Sequence, residues 1–180
     1  MDERRLVKVS KYLAKHLRHR PERIGLTLSP DGWADVDELL AAAARHHFPI
    51  TPAELREVVA ANDKRRFTLE GGRIRANQGH SVPVDLALPS VPPPELLYHG
   101  TPEGSVEAIL RAGLLPMGRH AVHLSPDTET ARRVGARRGR PVVLTVEAGR
   151  MAADGRTFQV SANGVWLTAA VPPDYLRRDP

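Results

Sequence analysis

The stretch "RFTLEGGRIRA", residues 66–76, decides how the first half of the chain can fold. Apolar residues alternate with polar ones on both sides of the Gly71-Gly72 pair. Alternation with a period of two residues around a glycine pair is typical of two antiparallel strands joined by a tight turn. The stretch therefore predicts a β-hairpin.

Three helices are predicted upstream of this hairpin. Leu6, Val9, Leu13 and Leu17 recur at helical spacing, and Pro21 ends that pattern. The second stretch, "ADVDELLAAAARHH", has Asp35 and Glu38 at capping-box spacing ahead of an apolar run.

The third helical stretch is "TPAELREVVAAND", in which Thr51 is the expected N-cap, Pro52 the first helical residue and Glu54 the partner in a capping box. Helices followed by a hairpin predict a winged-helix lobe over residues 1–80. The usual function of such a lobe is duplex DNA binding, with the second helix of a pair reading the groove.

The first predicted helix ends in three basic residues, Arg18-His19-Arg20. Cations at a helix C-terminus complement the helix dipole, and this alone can account for them. The alternative is that Arg18 and His19 bind an anion through their side chains, because a helix C-terminus presents carbonyls and no free amides. Both interpretations remain open at this point.

The composition favours polyanionic partners. The 180 residues include 26 Lys+Arg and 21 Asp+Glu, which gives a net charge of +5 and a pI near 10.1. Aromatic residues make up only 4%, so contacts with nucleic acid should be made mainly to phosphates. The absence of cysteine excludes disulfides, thiolate zinc sites and a cysteine nucleophile.

No apolar run reaches membrane-spanning length, and "MDERRLVKVS" lacks the apolar centre of a signal peptide. We therefore expect a cytoplasmic protein that has no contact with a membrane, and nothing indicates an obligate protein partner.

The organisation of the chain changes at "SVPVDLALPSVPPPE", residues 81–95, which contains five prolines and shows no strand or helix period. This stretch predicts an extended linker. Residues 96–180 then alternate short strand and helix signals, and "TFQVSANGVWLTA" predicts two strands across an Asn-Gly turn. We therefore expect an α+β chain with two lobes.

Two strand ends in the second lobe offer polar side chains. His99-Gly100-Thr101 ends the strand "LLYHGT", and the glycine would let a ligand approach the backbone. A simple turn with a satisfied histidine explains that tripeptide equally well. His123 and Ser125 end the strand "HAVHLS" on one face, with Leu124 on the other. The two ends would form a polar cleft if their strands are neighbours.

Arginines outside the first helix are ambiguous from the sequence. Arg66 precedes the hairpin and Arg119 precedes a strand, and each could be a solvated surface charge. The run Arg132, Arg133, Arg137, Arg138 and Arg140 could be a solvated helix face or could attract a polyanion. The eight histidines form no metal-ligand pattern with carboxylates, so we expect no metal. Neither a P-loop nor a Rossmann glycine motif occurs.

Taken together, these motifs resemble the RNA 2′-phosphotransferase (tRNA 2′-phosphotransferase) family. The resemblance covers nearly the whole chain in the family's order, with "SKYLAKHLRH", "IGLTLSPDGWADVDELL", "NDKRRFTL", "RIRANQGHS", "LYHGT", "GLLPMGRHAVHLS", "GARRGRPVVLTV" and "NGVWLTAAVPPDYL". It implies a winged-helix lobe that binds RNA phosphate over residues 1–80 and an ADP-ribosyltransferase-like lobe that binds NAD⁺ over residues 96–180.

The activity implied by the resemblance is the removal of an internal 2′-phosphate from RNA, as at a tRNA splice junction, with NAD⁺ consumed as a co-substrate. The 2′-phosphate attacks the nicotinamide ribose and expels nicotinamide. The ribose 2″-OH then attacks phosphorus, which releases RNA with a 2′-OH and ADP-ribose 1″,2″-cyclic phosphate.

The resemblance also assigns roles to residues. The catalytic Arg-His-Arg-Arg set of the family matches Arg18, His19, Arg66 and Arg119. The NAD⁺-binding positions match His99, Gly100, Thr101, His123, Leu124 and Ser125. On this assignment we expect Gly100→Val to block NAD⁺ binding and to leave the fold intact.

One feature departs from other ADP-ribosyltransferases. Val165 or Trp166 stands near the position of their usual glutamate, which argues against a protein-modifying toxin. Two alternatives remain at the level of sequence. One is an ADP-ribosyltransferase that acts on nucleic-acid ends or proteins, and the other is a winged-helix DNA-binding regulator that senses NAD⁺ or ADP-ribose.

Overall fold

The structure, a computed structural model, describes residues 1–61 and 64–179. The chain divides into two compact units, Met1–Ala87 and Leu88–Pro180. The division lies inside the stretch that the sequence predicts as a linker. Each unit contains helices and small antiparallel sheets, so the predicted α+β class is confirmed.

The first unit has the three predicted helices and the predicted hairpin. Its elements are α1 (Glu3–Arg18), β1 (Ala34–Asp35), α2 (Val36–Arg45), α3 (Pro52–Ala60), β2 (Phe67–Glu70) and β3 (Arg73–Ala76), and a 3₁₀ turn at Pro21–Ile24 follows α1. The last two residues of the third helical stretch, 62 and 63, lie outside the described residues. The short strand β1 was not predicted, because two residues carry no readable period.

Local hydrogen bonds explain where these helices begin. The Asp35 side chain accepts from the Glu38 amide at 3.0 Å and caps α2. Thr51 and Glu54 form the predicted capping box at the start of α3, with bonds of 3.1 Å and 2.9 Å. These contacts satisfy amides that have no partner inside the helix.

The sheet of the first unit has the order β1-β3-β2, and its turn is the Gly71-Gly72 pair, both with positive φ. The apolar stripe of α1 packs on this sheet and on the other two helices. Val9, Leu13 and Leu17 are fully buried, and α2, α3 and β3 contribute the residues they contact. This packing fixes the C-terminal end of α1 relative to the hairpin.

The second unit follows the predicted order of short elements. They are β4 (Leu97–Pro102), α4 (Val106–Ala112), β5 (Val122–Leu124), α5 (Thr128–Gly135), β6 (Pro141–Val146), α6 (Ala148–Ala153), β7 (Gln159–Val160), β8 (Trp166–Thr168) and β9 (Leu176–Arg178). The strands form two antiparallel sheets, β4-β6-β9 and β5-β8-β7. Helix α6 and strand β9 were not predicted.

The two sheets of the second unit meet at one backbone pair. Tyr98 of β4 and Ser125, which directly follows β5, exchange two backbone hydrogen bonds of 2.9 Å and 2.8 Å. The strands that carry the two polar ends are therefore neighbours. Leu97, Leu124, Val146 and Phe158 belong to the buried core of this unit.

Gly100 lies against helix α5, and this corrects one expectation from the sequence. A Cβ atom at Gly100 would stand 1.6 Å from the Ala131 carbonyl oxygen and 2.9 Å from the Gly135 nitrogen. A Cβ at Gly135 would in turn stand 2.8 Å from the Thr101 nitrogen. The glycine thus allows strand and helix to touch, and the prediction that Gly100→Val leaves the fold intact is wrong.

We expect Gly100→Ala to destabilise the protein by about 3 kcal/mol or more, because the methyl group would overlap backbone atoms that cannot move aside. Urea unfolding followed by circular dichroism would measure the loss. Gly104→Ala is the matched control, since no atom lies within 4 Å of its added Cβ. Equal midpoints for the two variants would contradict the close approach.

Candidate active site

The C-terminal end of α1 carries the first two candidate residues. The helix ends at Arg18, and the amides of His19 and Arg20 both bond the Lys15 carbonyl, at 3.1 Å and 2.9 Å. The buried His16 ring bonds the Arg20 carbonyl through Nδ1 at 3.0 Å, and burial lowers the pKa of His16. A neutral His16 with its proton on Nδ1 therefore donates to the turn after the helix.

The segment 79–82 closes over this helix end. The amides of Ser81 and Val82 donate to the Arg18 carbonyl at 2.9 Å and 3.3 Å. The Ser81 hydroxyl bonds His19 Nδ1 at 2.8 Å. A Cβ at Gly79 would be 3.5 Å from Arg18 Cζ, so the backbone runs directly beside the guanidinium. Backbone amides thus bond two carbonyls at the helix end, those of Lys15 and Arg18.

Arg66 lies in a turn that Asn77 holds. Asn77 is 5% exposed, and its amide donates to the Arg66 carbonyl at 2.8 Å. Its side-chain amide donates to the Arg65 carbonyl at 2.6 Å, and its side-chain oxygen accepts from the Thr68 hydroxyl at 2.5 Å. Both ends of this buried side chain are used, which fixes the backbone before β2.

One short segment therefore contacts all three candidate residues of the first unit. Asn77 bonds the backbone of Arg66, and Gly79, two residues later, lies beside the Arg18 guanidinium. Two residues of extended chain span about 7 Å. Residues 77–81 of the first unit thus contact the Arg66 backbone, the Arg18 guanidinium and the His19 ring.

The fourth catalytic candidate, Arg119, is in the second unit and contacts His123. Its guanidinium donates from Nη1 to His123 Nδ1 at 3.0 Å, which requires that this nitrogen be unprotonated. Desolvation, and then the charges of Arg137 and Arg138, lower the pKa of Arg119. Because the Arg119 side chain is exposed, repulsion by its two neighbours is the stronger physical reason for this direction.

His99 is held by the neighbouring strand end. Its Nδ1–H donates to the His123 carbonyl at 3.3 Å, which leaves Nε2 as the acceptor of the ring. Burial lowers the pKa of His99, and the His123 carbonyl opposes this only in part. His99 is therefore neutral near pH 7.

The remaining NAD⁺ candidates differ in accessibility. Ser125 and His123 are half-buried, as the predicted strand alternation requires. Thr101 and Leu124 are buried, with 4% and 1% of each residue exposed. That Thr101 lines a pocket for NAD⁺ stays a prediction.

Gly100 offers its backbone at an open strand edge. In an antiparallel ladder the polar groups of successive residues point to alternate sides. The Tyr98 amide points to β5, so the N–H and C=O of Gly100 point to the same side. Among the described residues, β5 and Ser125 pair with this edge at Tyr98 alone. A donor and an acceptor on one residue are thus available beside His99.

Sequence reasoning missed Asn77 and Ser81. The signal was the polar run "NQGHS", residues 77–81, directly after a strand, with a glycine whose φ is +87°. Ser81 was instead assigned to the linker. A polar run that contains a left-handed glycine is typical of a structured turn that binds neighbouring backbone.

Neither a metal centre nor a membrane span is present in residues 1–61 and 64–179. This part of the chain contains no group of three or more His, Asp or Glu residues arranged to hold a metal ion. None of its helices combines the length and the apolar character that crossing a membrane requires.

Arginine guanidinium groups next to histidine rings are typical of proteins that bind and transfer phosphate groups. A comparison with protein families identifies which phosphate-transferring proteins the chain is related to. Residues 4–170 match the model of the RNA 2′-phosphotransferase, Tpt1 / KptA family. The chain belongs to this family of transferases.

Curated relatives agree with the family match. The chain is 66% identical to a probable RNA 2′-phosphotransferase of Streptomyces griseus, with 98% of both chains covered. It is also 66% identical to one of Streptomyces coelicolor, over 98% of this chain and 97% of the relative. A relative with the same description from Trichormus variabilis is 58% identical over 98% of both chains.

We expect the His99 ring to titrate below the ordinary value of about 6.5, because burial disfavours its charged form. The unfolded chain then binds the proton more readily. The contribution of His99 to stability is full above about pH 6.5 and is lost as the pH falls through the folded-state pKa. An NMR titration of the ring would measure the pKa, and a value above 6.5 would contradict its burial. The variant His99→Gln should lose less stability on acidification than the parent.

Proposed function

We propose that the chain is an NAD⁺-dependent RNA 2′-phosphotransferase of the cytoplasm. Residues 1–80 form a winged-helix lobe, residues 81–95 a linker, and residues 96–180 an ADP-ribosyltransferase-like lobe. The observation that carries this proposal is the family match over residues 4–170, because that range includes every candidate catalytic and NAD⁺-binding residue.

The first chemical step joins the RNA phosphate to ADP-ribose. A non-bridging oxygen of the 2′-phosphate forms a bond to the anomeric carbon of the nicotinamide ribose, and the bond to nicotinamide breaks with its electron pair. A phosphate monoester is largely dianionic at neutral pH and is already a nucleophile. This explains why no glutamate is needed where Val165 and Trp166 stand.

The second step transfers the phosphoryl group. The ribose 2″-OH attacks phosphorus and the bond to the RNA 2′-oxygen breaks, so that oxygen must gain a proton while the attacking hydroxyl loses one. Charge on the phosphoryl oxygens has to be stabilised by fixed cations. We assign this to Arg18, Arg66 and Arg119, and we assign proton transfer or hydrogen bonding at phosphate to His19.

The open edge of β4 fits the nicotinamide end of NAD⁺. A primary carboxamide has one acceptor and donor hydrogens, which complement the N–H and C=O of Gly100. His99 presents Nε2 as an acceptor for a ribose hydroxyl, and Ser125 and His123 lie on the adjacent strand end.

The arginines after α5 favour RNA as the phosphate donor. Arg137 and Arg138 are exposed and close enough to Arg119 to lower its pKa. Like charges held together at a surface attract a polyanion and release its counterions when it binds. We assign to these two arginines contacts with the RNA backbone beside the reacting phosphate.

We expect His19→Ala and Arg66→Ala to slow the second step more than the first, each by roughly 10²–10³-fold, because phosphoryl transfer depends on preorganised donors. Arg119→Ala should behave in the same way. The ADP-ribosylated RNA intermediate should accumulate and be visible on a gel with a labelled 2′-phosphorylated oligoribonucleotide and NAD⁺.

Arg20→Ala is the matched control for this experiment, since it removes a cation from the same helix end but leaves the proposed clamp intact. It should turn over like the parent. If the three test variants fail before any intermediate forms, the residues act in binding or in the first step. If none of them loses activity, the roles assigned to these residues are wrong; if the parent itself gives no product, the proposed function is wrong.

We expect Arg137→Ala combined with Arg138→Ala to weaken RNA binding and to reduce its dependence on salt. The slope of log Kd against log salt concentration should fall by about 0.7 for each phosphate of a single strand that the variant no longer neutralises. Fluorescence anisotropy without NAD⁺ would measure it. Arg111→Ala, whose side chain pairs with Glu107, is the control and should keep the parent slope. An unchanged slope in the double variant would contradict the assignment.

A further inference from the structure

We infer that Ser81 is a positioning residue for catalysis, which orients the imidazole of His19 through its hydroxyl. The inference rests on the proposed function, since it assumes that His19 acts at the phosphate. It concerns one hydrogen bond, between Ser81 Oγ and His19 Nδ1 at 2.8 Å.

The backbone of helix α1 does not by itself fix the ring of His19. It is the C-cap of α1, with φ −128° and ψ −42°, and it is exposed. The backbone angles of a C-cap residue do not set the rotation of its ring, and a half-turn of the ring would exchange the two nitrogens relative to a substrate. A hydrogen bond to Nδ1 fixes the plane of the ring and hence the direction of Nε2. A serine hydroxyl can donate to Nδ1 or accept from it, so the bond is compatible with either neutral tautomer.

Ser81 can serve as this partner because the backbone around it is held at several points. Its own amide bonds the Arg18 carbonyl at 2.9 Å, so the serine moves together with the helix end. The preceding residue, His80, is 3% exposed and lies against Gly32. The Asp85 amide bonds the Pro30 carbonyl at 2.9 Å. The Ser81 hydroxyl therefore lies on a segment whose backbone is held in place on both sides.

The two contacts of Ser81 can be separated by experiment. The amide caps α1 whatever the side chain, and the hydroxyl alone reaches His19. Ser81→Ala removes the hydroxyl and keeps the cap, so the variant should fold with an unchanged melting temperature. Ser81→Thr keeps a hydroxyl on the same backbone and should restore most of the activity.

The decisive measurement combines kinetics with NMR of the His19 ring. We expect Ser81→Ala to lower kcat by about 10- to 100-fold, because a misplaced catalytic group slows the reaction without weakening substrate binding. The KM for NAD⁺ should stay constant. The ¹⁵N shift of His19 Nδ1 should change when its hydrogen bond to the Ser81 hydroxyl is lost. Ser90→Ala, at another exposed serine, is the control and should match the parent.

A second set of variants separates failure of the inference from failure of the proposed function. In a His19→Ala background, Ser81→Ala should cause no further loss, because its effect passes through the ring. If Ser81→Ala alone matches Ser90→Ala while His19→Ala is impaired, the inference is overturned and the function stands. If His19→Ala turns over like the parent, the role of His19 is wrong and the inference falls with it. If the parent itself gives no turnover, the proposed function is wrong, and ring shifts that are unchanged in Ser81→Ala then overturn the inference.

Discussion

The contact on which the candidate site depends is the pair of hydrogen bonds from the Ser81 and Val82 amides to the Arg18 carbonyl. A helix C-terminus normally exposes carbonyls, which repel an anion. Covering the Arg18 carbonyl with backbone amides removes part of that repulsion from the place where two basic side chains stand. This lowers the electrostatic cost of the phosphate binding that we propose at this helix end.

The second unit depends on a close contact between one strand and one helix. Gly100 and Gly135 let β4 and α5 touch, and this contact holds the strand while one of its edges, within the described residues, stays unpaired beyond Tyr98. An unpaired edge is normally a liability for a sheet. Here the short β5 and helix α5 limit the unpaired edge of β4 to a few residues. A planar amide can form hydrogen bonds with those residues.

The sequence predicted the elements well where their signals were periodic or capped. The stripe of α1, the Thr51 capping box and the Gly71-Gly72 hairpin are all present. Strands β1 and β9 and helix α6 were missed, because two to six residues are too few to show a period. For the site, residue type indicated the arginines and histidines, but the side chains of Asn77 and Ser81 bond residues far away in the chain, Arg65 and His19, and residue type does not reveal such partners. Gly100 was misjudged because its neighbour in space, α5, comes about thirty residues later in the chain.

The bonds made by residues 81–85 also bear on how the protein can be dissected. Cutting the chain after residue 80, at the end of the predicted winged-helix lobe, would delete the amides that bond Arg18 and the one that bonds Pro30. Such a fragment would keep its apolar core, since no residue of that core lies beyond Ala76. It would nonetheless expose a frayed helix end at Arg18 and His19. An isolated first unit suited to spectroscopy or crystallisation should therefore extend to Ala87, where the compact unit ends.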